Sequence, residues 1–451
     1  MTRPPSQQPG QTSPHSGPSG SRTEPSTVDL RDGRSADPEA APPSALPPRI
    51  LPPTTPKAVV VERRPQSNGR ADRIASTVRE NVINFRRLDV VLLGAALSLS
   101  LIGAMLVYSA TRGRLLAADD DPNSFLIKHL LNVVIGISLG WVVMRVDYRT
   151  LRAYTPLAYG VVITLLLVVL SPFGTTINGA NAWISLPAGF TMQPSELTKI
   201  VVILAMAMIL SERGVGRDRP MEVDVRRSLI WAAGPVVLIM LQPDLGTVLV
   251  IGTIVIGIIV ISNARSRWVI GLLVSAVLGG LLAIVLGVLD QYQIDRLLAF
   301  TDPSRDLQGI GYNTAQARIA IGGGGPFGQG FLNGDQTQGA FVPYQQTDFV
   351  FSVAGEEFGL LGATVVIGLI GIILWRGLRI ARMARDPFGR LVATGVVCWF
   401  GFQAFENIGM NLGIMPVTGV PLPFVSYGGT SMFAAWIGIG LLQSVHVRSR
   451  E

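Results

Sequence analysis

The hydrophobic positions of this chain are gathered into long runs, separated by shorter polar segments. Ten runs are long enough, or nearly long enough, to cross a bilayer as helices. A chain in lipid must pair its own backbone groups, so each run predicts a helix. The runs cover residues 88–110, 125–145, 151–171, 194–211, 228–242, 245–262, 268–289, 348–375, 390–411 and 425–446. This pattern predicts an all-α polytopic membrane protein with ten transmembrane helices.

Residues 1–87 have a different composition, rich in Pro, Ser, Gly and Arg and without an apolar period. Such a segment cannot bury a core, so we expect a disordered tail. It has no early apolar segment of the kind that marks a signal peptide. The expected organisation is therefore a tail over 1–87 and a membrane domain over 88–447, with a large outer loop at 290–347.

Arginines are concentrated in alternate connections between the runs. They occupy 145–152, 212–227, 263–267, 376–390 and the C-terminus. By the positive-inside rule, this side is cytoplasmic and carries both termini of a multi-pass membrane protein. The net charge of +7 is explained by these arginines and by contact with membrane lipids, so we expect no nucleic-acid partner.

Composition excludes several kinds of chemistry. Cys398 is the single cysteine and the three histidines are scattered along the chain, which disfavours a disulfide or a Cys/His metal site. No GxxxxGK[ST] phosphate-binding motif is present, so we expect no nucleotide cofactor. The polar, Gly-rich and Pro-rich motifs fall on the outer side, so the site is expected to face outward.

Asp348 opens the eighth apolar run, and Ser352, Glu356 and Gly359 follow it at near four-residue spacing. On one helix these residues share a face. Acids inside a membrane helix are costly and usually serve a function. The alternative is that Asp348 only caps a helix N-terminus.

Two further acids and one lysine lie at the outer ends of expected helices. Glu196 and Lys199 are three residues apart and can pair across one helical turn, either as a structural pair or as a binding group. Asp244 follows Pro243 between two runs, where it either caps the next helix or binds a ligand.

The outer loop at 290–347 is the longest connection, and loops of this length are usually functional. Arg296, Arg305 and Arg318 are spaced along it, and arginine suits phosphate recognition through its planar set of donors. Each could equally be an ordinary interfacial anchor. Its glycines between 322 and 334 predict a mobile stretch.

Several separated motifs occur in one order, and together they resemble the SEDS family (shape, elongation, division and sporulation) over residues 88–446. The motifs are NGANAWI, QPSELTK, QPDLGT, YQIDRLLAFTDPSRD, GYNTAQARIAIGGGG, GQGFLNG, TDFVFSVAGEEFG and NIGMNLGIMPVTGVPLPFVSYGGTS. The chain departs from the family at Gln346, where His is common, and at Ala317, where Ser is common. The stretch FVPYQQTDFVFSVAGEE looks most like the RodA rod-shape branch of actinobacteria, with the FtsW division branch as the near alternative.

The resemblance implies a ten-helix fold that polymerises lipid II, the lipid-linked precursor of peptidoglycan, for cell-wall elongation. It also implies a class B penicillin-binding protein as the transpeptidase partner. The family's essential aspartate belongs to the TDF motif, so it falls on Asp348.

The leaving group of such a reaction is a diphosphate, so one general base, expected to be Asp348, can suffice. Positive charge would stabilise the leaving diphosphate, from Lys199, Arg296, Arg305, Arg318 or a divalent cation such as Mg²⁺ or Mn²⁺ held partly by Asp348. Glu196, Asp244 and Glu356 are the remaining candidates for substrate binding. A lipid II flippase and a non-catalytic scaffold are the alternative functions, although the outer clustering of the motifs disfavours a flippase.

Overall fold

A computed structural model describes residues 87–177, 180–187, 190–212, 219–287 and 310–449. The described part is mainly helical, and a small sheet lies between the third and fourth helices. The first seven helices are α1 Val90–Ala117, α2 Ser124–Arg145, α3 Tyr148–Val169, α4 Pro194–Leu210, α5 Glu222–Met240, α6 Leu245–Ile261 and α7 Ser266–Val285. The others are α8 Ile310–Gly324, α9 Asp335–Gln338, α10 Val350–Glu357, α11 Gly359–Met383, α12 Pro387–Leu412 and α13 Gly429–Ser449. Apart from Arg87, the expected tail lies outside the described residues.

Each of the ten apolar runs coincides with helix in the described residues. Seven of the described helices are long and apolar enough to cross a membrane: α1, α2, α3, α7, α11, α12 and α13. The remaining three of the ten runs form α4, α5 and α6, which have 17, 19 and 17 residues. The mainly helical membrane fold is thus confirmed, whereas the number of ten spans stays a prediction.

The eighth run was expected to form one helix, and this expectation is wrong. The structure breaks it at Phe358, between the short buried helix α10 and the long helix α11. Gly359 has φ +63, in the left-handed region that favours glycine. The break frees backbone groups at both helix ends, and these need partners away from water.

The glycine-rich stretch after α8 supplies those partners. The N–H groups of Gln329 and Gly330 donate to the carbonyls of Glu356 and Glu357, at 2.9 and 3.0 Å. On the other side of the break, the N–H of Leu360 donates to the carbonyl of Gly325, also at 2.9 Å. The stretch predicted to be mobile is therefore hydrogen-bonded to the break.

The expected outer loop at 290–347 also contains regular structure in its described portion. Helix α8 occupies Ile310–Gly324, and the four-residue helix α9 follows at Asp335–Gln338. Residues 290–309 lie outside the described residues.

The all-α prediction does not extend to the connection between α3 and α4. This connection instead forms an antiparallel sheet of the strands β1 Gly174–Ile177, β2 Ala180–Leu186 and β3 Phe190–Met192, in the order β1-β2-β3. The register pairs Gly174 with Ile184 and Ile184 with Met192. The sheet leads directly into α4, which carries two of the candidate residues.

Helices α2 and α13 approach each other closely at glycines. A Cβ on Gly440 would lie 2.4 Å from the carbonyl oxygen of Gly140, and a Cβ on Gly140 would lie 2.5 Å from that of Trp436. Small residues permit this kind of close backbone approach between membrane helices. Helix α13 also binds the residue that precedes α1. The N–H of Asp89 donates to Gln443 Oε1 at 3.0 Å, and Gln443 Nε2 donates to the Asp89 carbonyl at 2.8 Å.

Candidate functional site

Asp348 lies in a turn immediately before α10. Its N–H and that of Thr347 both donate to the carbonyl of Tyr344, each at 3.1 Å, and Tyr344 has φ +53. The side chain of Asp348 is half-buried. The expectation that Asp348 shares one helical face with residues 352, 356 and 359 is wrong, because α10 begins after Asp348 and ends before Gly359.

The backbone before Asp348 is bound by the connection between α12 and α13. The N–H of Tyr427 donates to the carbonyl of Gln346 at 2.9 Å. The hydroxyl of Ser426 donates to the carbonyl of Thr347 at 2.6 Å. Most residues of this connection from 417 to 426 are buried.

The carbonyl of Asp348 is bound by two amides of α12. Asn407 Nδ2 donates to it at 2.9 Å and Asn411 Nδ2 donates to it at 3.1 Å. Analysis of the sequence missed both residues, although two amides four positions apart in an apolar run were a visible signal. Consecutive carbonyls of the turn are thus each hydrogen-bonded to another part of the protein.

Glu356 is fully buried and its carboxylate binds the start of α9. It accepts hydrogen bonds from the N–H of Gln336 at 2.7 Å, from the N–H of Thr337 at 2.9 Å and from the Thr337 hydroxyl at 2.6 Å. The carboxylate of Glu356, a candidate for substrate binding, is therefore hydrogen-bonded to groups of the protein itself.

Its neighbour Glu357, also buried, connects α9 to α1 through hydrogen bonds. The hydroxyl of Ser109 donates to Glu357 Oε1, and Gln338 Nε2 donates to the same oxygen at 3.3 Å. Gln345 Nε2 donates to the carbonyl of Ala110 at 2.7 Å. The segment leading to Asp348 is thereby held against the C-terminal end of α1.

Glu196 and Lys199 form the expected pair across one turn of α4. Lys199 Nζ lies 2.6 Å from Glu196 Oε1 and 2.9 Å from Gln403 Oε1, and it sits 5.2 Å from the ring centroid of Trp399. The exposed fraction of the Lys199 side chain is 0%. This environment matches the structural reading of the pair.

Asp244 caps α6, as one of its two readings predicted. Its carboxylate accepts from the N–H and hydroxyl of Thr247 at 3.0 and 2.8 Å. It also accepts from the Ser195 hydroxyl and from Gln193 Nε2, each at 3.1 Å. Asp244 therefore joins the start of α6 to the start of α4.

Glu406 is a buried acid that the sequence reasoning missed. It lies on α12, one of the helices long and apolar enough to cross a membrane. An acid inside the run 390–411 was the same kind of signal that drew attention to Glu356.

Arg318 is exposed on α8, and its Cδ lies 3.0 Å from where a Cβ on Gly413 would be. Its neighbour Ala317 packs in one apolar cluster with Phe349, the neighbour of Asp348. Arg318 is thus the described arginine candidate placed near the turn. Arg296 and Arg305 lie outside the described residues.

Among the described residues, no group of three or more His, Cys, Asp or Glu side chains is placed to hold a metal ion.

Comparison with known proteins is consistent across sequence and structure. Residues 89–451 match the family model FtsW/RodA/SpoVE, described as cell cycle protein. A probable peptidoglycan glycosyltransferase FtsW from Geobacter metallireducens is 35% identical, covering 82% of this chain and 97% of the relative. Stage V sporulation protein E from Bacillus subtilis is 36% identical, covering 80% and 98%. Peptidoglycan glycosyltransferase MrdB from Escherichia coli is 34% identical, covering 77% and 92%.

Solved structures agree with these relatives. A chain from a peptidoglycan synthase complex that coordinates polymerization and crosslinking matches with a TM-score of 0.66 and 30% identity, covering 81% of this chain and 99% of that one. The rod shape determining protein RodA of Thermus thermophilus matches with a TM-score of 0.60 and 29% identity, covering 82% and 99%. Division, sporulation and rod-shape proteins all occur among these matches, so the RodA branch stays a prediction. The chain belongs to the FtsW/RodA/SpoVE family of cell cycle proteins.

Proposed function

We propose that this chain, a peptidoglycan glycosyltransferase, polymerises lipid II into glycan strands with Asp348 as its general base. The observation that carries the assignment is the contrast among the acids. Glu196, Glu356 and Glu357 are fully buried. Asp348 is half-buried, in a turn whose backbone is bound at successive residues.

The chemistry follows from these positions. A bond forms between the anomeric carbon of one lipid II molecule and a sugar hydroxyl oxygen of another, while the bond to the diphosphate oxygen breaks. The hydroxyl proton passes to the Asp348 carboxylate, which is the role of a general base. We assign to Arg318 the stabilisation of the departing diphosphate, because guanidinium groups bind phosphate oxygens with paired donors.

Reconstitution tests this activity directly. Purified protein in vesicles containing lipid II should produce glycan strands that can be separated by gel electrophoresis. Appearance of lipid II in the opposite leaflet without strands would instead support a flippase. If neither strands nor translocated lipid II appear, the enzyme assignment is refuted and the chain is a scaffold.

A class B penicillin-binding protein is the proposed partner, and the structural neighbour from a synthase complex supports this choice. We assign the pair to wall elongation rather than division on the stretch QQTDF, at residues 345–349. Depletion should then give rounded cells, whereas long filaments without septa would assign the chain to division.

The arginine distribution further supports a topology with both termini in the cytoplasm. With Cys398 replaced by Ala, a cysteine introduced at Asn333 should react with an impermeant maleimide added to intact cells. A cysteine at Arg219 should react only after permeabilisation. Both positions are exposed, so accessibility within the fold does not limit labelling. The reverse pattern would invert the topology.

A further inference from the structure

We propose that Asn407 and Asn411 are positioning residues that hold Asp348 in its reactive place through its backbone carbonyl. This inference rests on the proposed role of Asp348 as the base. The two amides lie one helical turn apart on α12, and both side chains are fully buried. They contact a segment that lies 59 and 63 residues earlier in the chain.

Asn407 joins the Asp348 turn to the connection that follows α12. Its Nδ2 donates to the carbonyl of Asp348 at 2.9 Å and to the carbonyl of Val420 at 2.8 Å. An amide nitrogen carries two hydrogens, so both are used by backbone acceptors. The side chain therefore sets the distance between two irregular segments that no shared helix or sheet connects.

Asn411 joins the same turn to α10. Its Nδ2 donates to the Asp348 carbonyl at 3.1 Å and to the carbonyl of Asn407 at 2.8 Å. Its Oδ1 accepts from the N–H of Ser352 at 3.1 Å. This N–H, in the first turn of α10, also donates to the carbonyl of Phe349 at 3.0 Å. Asn411 thus fixes Asp348 relative to the start of the helix that follows it.

These contacts matter because Asp348 precedes its helix. A residue inside a helix has its backbone fixed by the helix, whereas a residue in a turn depends on contacts from outside. Catalytic groups need placement within about 0.5 Å of the productive geometry. The two amides of α12 restrict the position of Asp348 by binding its carbonyl.

The test separates positioning from simple stability. Asn407→Leu removes both donors at similar size, and Asn411→Asp removes the donors while keeping an acceptor for Ser352. We expect each variant to lower kcat for lipid II by about 10- to 100-fold at unchanged KM, since a displacement of about 1 Å can cost that much. Because both amides share one acceptor, the double variant should lose less than the product of the single losses.

Gln443→Ala is the matched control. Gln443 is also a buried amide that clamps the backbone of an aspartate, Asp89, but at the opposite end of α1. It should lower the thermal unfolding temperature without changing kcat per folded molecule. If the Asn407 and Asn411 variants behave in the same way, the amides are structural only and the proposal is refuted.

Asp348→Asn, measured alongside, distinguishes the two levels of inference. An inactive Asp348→Asn protein with fully active Asn407 and Asn411 variants would refute positioning and keep the base. An active Asp348→Asn protein would refute the base, and positioning with it.

Discussion

Replacing Asp348 with Asn should leave a folded, membrane-inserted protein that no longer polymerises lipid II. Asparagine has the same size and can make similar hydrogen bonds, but it cannot accept the hydroxyl proton. The backbone contacts of the turn use carbonyl groups, so this change leaves them in place. Loss of a general base commonly costs about 10²–10⁴-fold in rate. Glycan formation by purified protein, with a class B penicillin-binding protein present and absent, measures the effect.

Asp335→Asn provides the control, because Asp335 is an exposed acid of the same outer stretch. It should polymerise at the wild-type rate. Recovery of the Asp348→Asn protein with added Mg²⁺ or Mn²⁺ would assign Asp348 to metal binding rather than to proton transfer. A near wild-type rate without such addition would remove Asp348 from the chemistry altogether.

Replacing Lys199 with Met should strongly destabilise the protein. The ammonium group is fully buried against Glu196 and Gln403, so its loss leaves a buried carboxylate without its cation. Removing one member of a buried ion pair typically costs about 3–5 kcal/mol. We expect a lower unfolding temperature in detergent and a lower yield of inserted protein.

The double variant Lys199→Met with Glu196→Gln tests the cause. Neutralising both members removes the uncompensated charge, so most of the lost stability should return. Activity per folded molecule should then approach that of the wild type. A double variant that is stable yet inactive would show instead that Lys199 serves the diphosphate, as the sequence alone allowed.

The positions of the helices were predictable because lipid imposes a simple rule on the backbone. Runs such as 88–110 and 125–145 had to become helices, and α1 and α2 occupy them. The pairing of Glu196 with Lys199 also followed from their spacing on a helix. These features depend on local sequence, which explains why they could be read from it.

The break at Phe358 could not be predicted in the same way. The run through it is apolar and lacks proline, and its backbone partners come from Gln329 and Gly330, earlier in the chain. A helix interruption that is stabilised by tertiary contacts leaves only a weak local signal, here Gly359 and the glycines of the distant stretch. The sheet over 174–192 likewise forms from strands too short to show a clear alternation.

The candidate site contains residues that local sequence identifies and contacts that it does not. Asp348 was identified by its place at an outer helix end and by the family motif. Asn407 and Asn411 were recognisable as polar residues on one face of an apolar helix. Their partner, the Asp348 carbonyl, was not recognisable, because no spacing rule relates positions 59 and 63 residues apart.

The contacts of α1 and α2 with α13 bear on how the protein is made. Asp89, at the entry to α1, is held by Gln443 of α13, and Gly140 of α2 packs against Gly440 of the same helix. Synthesis proceeds from the N-terminus, so α1 and α2 enter the membrane long before α13 exists. Asp89 and Gly140 therefore lack these partners until α13 has been synthesised and inserted. A truncation within α13 would remove contacts from helices that entered the membrane much earlier.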